Sequence, residues 1–125
     1  MVKDEKGKFW TGTNRGLNHF DPETGLNQRI AIPGKGLNYS VGALHFINQD
    51  SLFVNTGNGE IYLFEVPFKR WIKTKINTKI PLAGPFYSMG ERGVGLGITK
   101  SEGFLLYDAA SNEWVQLPNK KYLSL

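Results

Sequence analysis

Two histidines, three tryptophans and one glycine-rich run are the residues of this chain whose types and spacing invite a chemical reading. His19 and His45 both fall on segments with strand character, and neither has a second ligand at a spacing that would hold a metal. A place within a strand accounts for them better than a site does. There is no cysteine, which excludes disulfides, thiolate zinc sites and a cysteine nucleophile. Neither a Gly-x-Ser-x-Gly motif nor a pair of spaced acids is present, so no catalytic residue, metal or cofactor is expected. The run from Gly90 to Gly97, Gly-Glu-Arg-Gly-Val-Gly-Leu-Gly, has the look of a phosphate loop. No helix follows to present its N-terminus, and small-residue packing in a strand is the expectation there. Trp10, Trp71 and Trp114 offer flat faces that suit the apolar side of a pyranose. Their fixed places in a repeat argue instead for core packing.

The repeat is what positions all of these residues. Thr13, Thr56 and Thr99 are spaced 43 residues apart, and Trp71 and Trp114 keep the same interval. In that register Trp10, Phe53 and Leu96 fill one apolar position, with Gly7, Asp50 and Gly93 in the turn before it. A turn ending in Gly16, Gly59 or Gly103 follows, and then an aromatic at Phe20, Phe64 or Tyr107. Asp21 and Asp108 come after the aromatic in two copies, whereas the middle copy has Glu65-Val66-Pro67. The unit reads as short strands joined by tight turns, which makes neighbours antiparallel. Strands are expected at Lys8 to Thr13 with a return to Phe20, at Val41 to Ile47, Ser51 to Thr56, Glu60 to Val66 and Arg70 to Ile76. In the last unit they are expected at Phe86 to Gly90, Val94 to Thr99, Phe104 to Asp108 and Glu113 to Leu117.

Ile61-Tyr62-Leu63-Phe64 and Phe104-Leu105-Leu106-Tyr107 are apolar without alternation, as expected of strands covered on both faces. Four-stranded antiparallel sheets sandwiched between copies of themselves are the blades of a β-propeller. The expected fold is therefore all-β, a partial propeller of about three four-stranded blades, with units at roughly 1–38, 39–84 and 85–125. Closed propellers typically need about four to eight blades, so the chain is expected to be a fragment or to assemble with copies of itself. Its exposed terminal blades would leave it marginal or oligomeric alone.

In a propeller one rim carries the turns between the second and third strands together with the links between blades. That places Asn14, Arg15, Asn58, Lys100 and Glu102, then Lys35, Asn38 and Tyr39, as candidate ligand-binding residues. Amides, Arg and Tyr at a rim suit hydroxyl-rich or anionic ligands, although ordinary turn chemistry also uses Asn and Gly. The net charge of +4 is spread along the chain, which argues against nucleic acid. The densest basic run, Lys69-Arg70 with Lys73, Lys75 and Lys79, fits an outer edge strand that discourages pairing. No apolar run approaches the roughly 20 residues of a membrane span, and the N-terminal residues do not form a signal peptide.

The first hairpin, Asp4-x-x-Gly7-x-x-Trp10-x-Gly12-Thr13-x-x-Gly16-Leu17-x-x-Phe20-Asp21-Pro22, resembles the two-component regulator propeller repeat, and Glu23-Thr24-Gly25 with Arg29-Ile30 continues it. The second and third copies are weaker matches. The resemblance implies the extracytoplasmic, periplasmic sensor of a bacterial hybrid two-component system. There, such repeats precede a membrane span and a histidine kinase, and many members respond to oligosaccharides. On this view the chain binds an oligosaccharide or transmits its presence, contacts further blades, and performs no catalysis itself. Two alternatives stand beside it: a stand-alone propeller that scaffolds protein contacts, and a propeller lyase or hydrolase.

Overall fold

The computed structural model describes residues 1–56, 59–76, 86–88, 93–97 and 104–117, and among these there are strands and turns but no helix. The first sheet holds β1 (Val2–Lys3), β2 (Phe9–Thr13), β3 (Gly16–Phe20) and β4 (Asn27–Ile30), each antiparallel to the next. The second holds β5 (Val41–Asn48), β6 (Ser51–Thr56), β7 (Ile61–Glu65) and β8 (Arg70–Lys73) in the same order. In the third, β10 (Phe86–Ser88), β11 (Val94–Gly97), β12 (Phe104–Asp108) and β13 (Glu113–Leu117) follow suit. The chain is all-β, with three sheets of antiparallel four-stranded type.

One strand departs from expectation. The segment Arg70 to Ile76 is not a single strand: it breaks at Thr74, and β9 (Lys75–Ile76) leaves the second sheet to pair parallel with Glu113 and Trp114 of β13. The buried Thr74 stands at the crossing. Its N–H donates to Ile61 O at 3.0 Å and its hydroxyl to the same oxygen at 2.6 Å. Of the basic run, Arg70 and Lys73 lie on the second sheet's outer strand, where Arg70 pairs with Glu65 at 2.6 Å and Lys73 with Glu60 at 3.1 Å, whereas Lys69 stands in the turn before it and Lys75 at the edge of the third sheet. Lys79 lies outside the described residues.

The core has two parts, one in each space between neighbouring sheets, and the pleat of the middle sheet feeds both. Leu52, Val54, Tyr62 and Phe64 pack with Trp10, Leu17 and Ile32 of the first unit. Phe53 and Ile61, one residue out of phase, pack with Val94, Leu105 and Trp114 of the third. This is why Ile61 to Phe64 is apolar throughout. Each space is bridged by rings. Trp10 lies 5.8 Å from Phe64, which lies 4.5 Å from Trp71; Phe53 lies 4.8 Å from Tyr107 and 5.1 Å from Trp114. Trp10 and Trp114 are almost wholly buried, so neither serves as a surface platform for a sugar.

The sequence register slips once. The ladders align Val2, Trp10, His19 and Gln28 across the first sheet, and His45, Phe53, Leu63 and Ile72 across the second. The matching row of the third sheet is Tyr87, Gly95, Leu106 and Val115. Gly95, not Leu96, therefore occupies the place of Trp10 and Phe53. From Phe53 to Gly95 the spacing is 42 residues and from Leu63 to Leu106 it is 43, since Gly97 pairs with Phe104, seven residues on, whereas Asn55 pairs with Ile61, six residues on. Val94–Gly97 is strand, in keeping with the packing reading of the glycine-rich run.

The turns between third and fourth strands share one device. Gly25, Lys69 and Asn112 each stand two residues before the aligned trio Asn27, Trp71 and Trp114, and each is left-handed, at φ 76°, 51° and 54°. Asp21 and Asp108 open their turns by accepting the N–H of Glu23 and of Ala110. Glu65, with its longer side chain, pairs with Arg70 instead.

Candidate functional site

The turn joining β2 to β3 and the link from the first sheet to the second meet at one end of the stack. Gly16 makes the meeting possible: its φ is 103°, and a Cβ there would lie 2.5 Å from Leu37 O. Over the junction lies the guanidinium of Arg29. One of its nitrogens donates to Arg15 O at 3.2 Å, to Leu37 O at 3.0 Å and to Asn38 Oδ1 at 2.6 Å. Arg29 thus ties turn to link and fixes the Asn38 amide.

Next to it, the Tyr39 hydroxyl donates to Glu60 Oε1 at 2.7 Å, and the Lys35 ammonium sits 5.3 Å from the centre of the Tyr39 ring. Burial alone would raise the Glu60 carboxyl. The Tyr39 hydroxyl, the Lys73 ammonium and the fields of Lys73 and Lys35 outweigh it and hold that carboxyl below its usual range. The Lys73 ammonium is raised in turn, first by its hydrogen bond to Glu60. Among the described residues, Lys35 and Lys73 act on the Glu60 carboxylate while Arg15 and Arg29 lie at the adjoining turn and link, which leaves this surface positive.

Of the residues nominated from sequence, Asn14 and Arg15 are exposed in the turn, Lys35 and Asn38 are exposed in the link, and Tyr39 is half-buried beside them. Asn58, Lys100 and Glu102 lie outside the described residues. Sequence reasoning missed Arg29 and Glu60, the two groups that organise the rest. Arg29 sits two residues after Asn27 on a polar strand, and the repeat resemblance includes it without marking it as a site.

The opposite end carries a second arrangement. Asp4 Oδ1 accepts the N–H of Lys6 at 2.9 Å and of Lys8 at 3.0 Å, while Oδ2 accepts the indole N–H of Trp10 at 3.1 Å. This explains the Asp4-x-x-Gly7-x-x-Trp10 spacing: one carboxylate closes the turn and anchors the ring. Burial pushes the Asp4 carboxyl up, but the Lys8 N–H, the Trp10 indole, the Lys6 N–H and His19 together hold it below its ordinary value.

His19 stacks flat on Trp10, with ring centres 4.0 Å apart. Its Nε2 is 3.5 Å from Asp4 Oδ2, too long for a good hydrogen bond, and this buried atom has no hydrogen-bond partner. Burial lowers the affinity of His19 for a proton and Asp4 only partly restores it. A cleft of about 240 Å³ opens here between the first and second sheets, lined by Asp4, Lys8, His19, Phe46, Asp50 and Pro67. His45, also lowered by burial, lies 6.1 Å from Phe86 in the other inter-sheet space. Among the described residues no group of three or more His, Cys, Asp and Glu could hold a metal ion. No protein-family model and no curated protein matches this chain.

Proposed function

We propose that this chain is a ligand-binding segment of a β-propeller. On this reading it is non-catalytic and serves as part of the extracytoplasmic sensor of a bacterial hybrid two-component regulator. Its ligand is an oligosaccharide held at the positive end of the stack. Three stacked antiparallel sheets, joined ring to ring, are consistent with adjacent blades, and the first hairpin supplies the family resemblance. The observation that carries the reading is the gathering of Arg15, Lys35, Asn38 and Tyr39 around Arg29 and Glu60. Exposed cations, an amide and a phenol there converge from a turn and a link that a rigid scaffold holds in place.

Titration of the 15N-labelled chain with a panel of neutral and acidic oligosaccharides tests it. Saturable shifts are expected at Arg15, Lys35, Asn38 and Tyr39, with affinity reduced about tenfold, the equivalent of roughly 1.4 kcal/mol, in Lys35→Ala. Absence of any shift at millimolar ligand, or shifts confined to other surfaces, overturns the reading. Cleavage of a glycan during the titration replaces it with the enzymatic one.

A further inference from the structure

Inside the molecule each sheet receives its predecessor on a face whose residues can be matched strand by strand. In the second sheet the receiving rows are Phe46, Leu52, Phe64 and Trp71, then Val54, Tyr62 and Lys73. The corresponding rows of the first sheet are Lys3, Phe9, Phe20 and Asn27, then Thr11, Asn18 and Arg29. Phe9 and Phe20 keep the apolar character of Leu52 and Phe64. The other apolar places do not: Lys3 stands for Phe46, Thr11 for Val54, Asn18 for Tyr62 and Asn27 for Trp71.

The third sheet, which does receive a neighbour, has Leu105 where Asn18 stands and Trp114 where Asn27 stands. The amides are also organised among themselves. Asn27 Nδ2 donates to Asn18 Oδ1 at 3.1 Å, and Asn18 Nδ2 reaches Thr13 Oγ1 at 3.4 Å. The third sheet of a second copy laid over this face would bring Gly95, Leu106 and Val115 toward that ladder, and these give its amides no side-chain partner in exchange for the water lost.

The giving face differs as well. On the side of the third sheet turned away from the second, Tyr87 and Val115 are exposed and Leu106 is half-buried, but Gly95 stands where Trp10 and Phe53 supply the bridging ring. A second copy stacked head to tail would bring a missing ring against a missing tryptophan.

We propose that the outer face of the first sheet, marked by Thr11, Asn18 and Asn27, does not accept the third sheet of a second copy. The chain therefore does not grow head to tail through these two faces. This goes beyond the ligand-binding reading and does not depend on it.

The absence of cysteine allows a direct test. Single-cysteine chains Asn18→Cys and Val115→Cys are mixed at micromolar concentration under mild oxidation, and disulfide-linked species are separated by mass. No Asn18-to-Val115 heterodimer is expected above the level given by an exposed control position, Glu23→Cys. Adding Thr11→Val and Asn27→Trp to the Asn18→Cys chain is expected to raise the heterodimer about tenfold. Should that chain not fold by circular dichroism, Asn27→Trp alone, at an exposed position, gives the same comparison. A heterodimer well above control with the natural face, or no rise after the apolar graft in a folded chain, overturns the proposal.

Discussion

The two spaces between the sheets are closed by the same kinds of rings but held in different ways. In the first, the bridging ring is Trp10, and its one polar atom is satisfied within its own hairpin by Asp4. What crosses to the second sheet is apolar contact and close backbone approach: a Cβ on Gly12 would lie 2.5 Å from Gly42 O. In the second space the tryptophan belongs to the receiving side. The Trp114 indole donates across to Thr74 Oγ1 at 2.9 Å, Lys75 N–H donates to Asn112 O, and Asn112 Nδ2 donates to Lys73 O. Among the described residues, one joint is closed chiefly by apolar contact and the other is laced with hydrogen bonds. The first should be sensitive to volume and the second to polarity.

The largest effect expected from that contrast is Trp10→Ala, which removes the bridging ring of the first joint and leaves Asp4 without its indole. A loss of about 3–5 kcal/mol in chemical denaturation is expected; a loss under about 1 kcal/mol would refute the volume argument. Gly12→Ala attacks the same joint from the backbone, where overpacking typically costs about 1–3 kcal/mol. Thr74→Val is the counterpart in the second joint. It keeps the shape but strips Trp114 of its acceptor, for an expected loss of about 1–3 kcal/mol. A silent Thr74→Val would erase the distinction.

Acid should also act on the first joint before the turns. His19 has its proton affinity lowered in the folded chain, so the unfolded chain takes up a proton first as pH falls below the ordinary 6.5. The stability that neutral His19 contributes is present above that value and is lost below it. Asp4, whose folded value is also lowered, contributes stability above 3.8 that disappears as pH drops through its folded value. His19→Phe keeps a ring on Trp10 and should flatten the first part of the acid profile; His45 contributes in the same direction. A profile unchanged in shape between pH 7 and the onset of acid unfolding would show that His19 is not responsible. The smallest effect is a gain. Lys69 holds a left-handed conformation that costs an L-residue about 1–2 kcal/mol, and Lys69→Gly should recover up to about 1 kcal/mol of it.

Much of the architecture was legible because turns and burial leave local marks. The period of 43 residues located the three sheets, and the unbroken apolar run Ile61 to Phe64 correctly announced a strand covered on both faces. Three things were not legible. Gly95 in the ring position was hidden because the spacing of 42 from Phe53 to Gly95 returns to 43 from Leu63 to Leu106. The switch of Lys75 and Ile76 to the third sheet depends on partners 38 residues away. At one end of the stack, the meeting of the turn at Arg15 with the link at Lys35, Asn38 and Tyr39 followed from knowing which turns share a rim. Arg29 and the Asp4–His19 pair did not, since each becomes a site only when segments distant in sequence converge.

The exchanged strand β9 has a consequence for how the chain can be divided. By sequence Lys75 and Ile76 close the second repeat; by hydrogen bonding they form the edge of the third sheet. A cut at the repeat boundary therefore falls on the wrong side of a folding unit, and an excised third repeat would arrive with β13 unprotected. Order in the third sheet is borrowed from the residue that crosses, so local opening near Thr74 should spread forward along the chain more readily than backward.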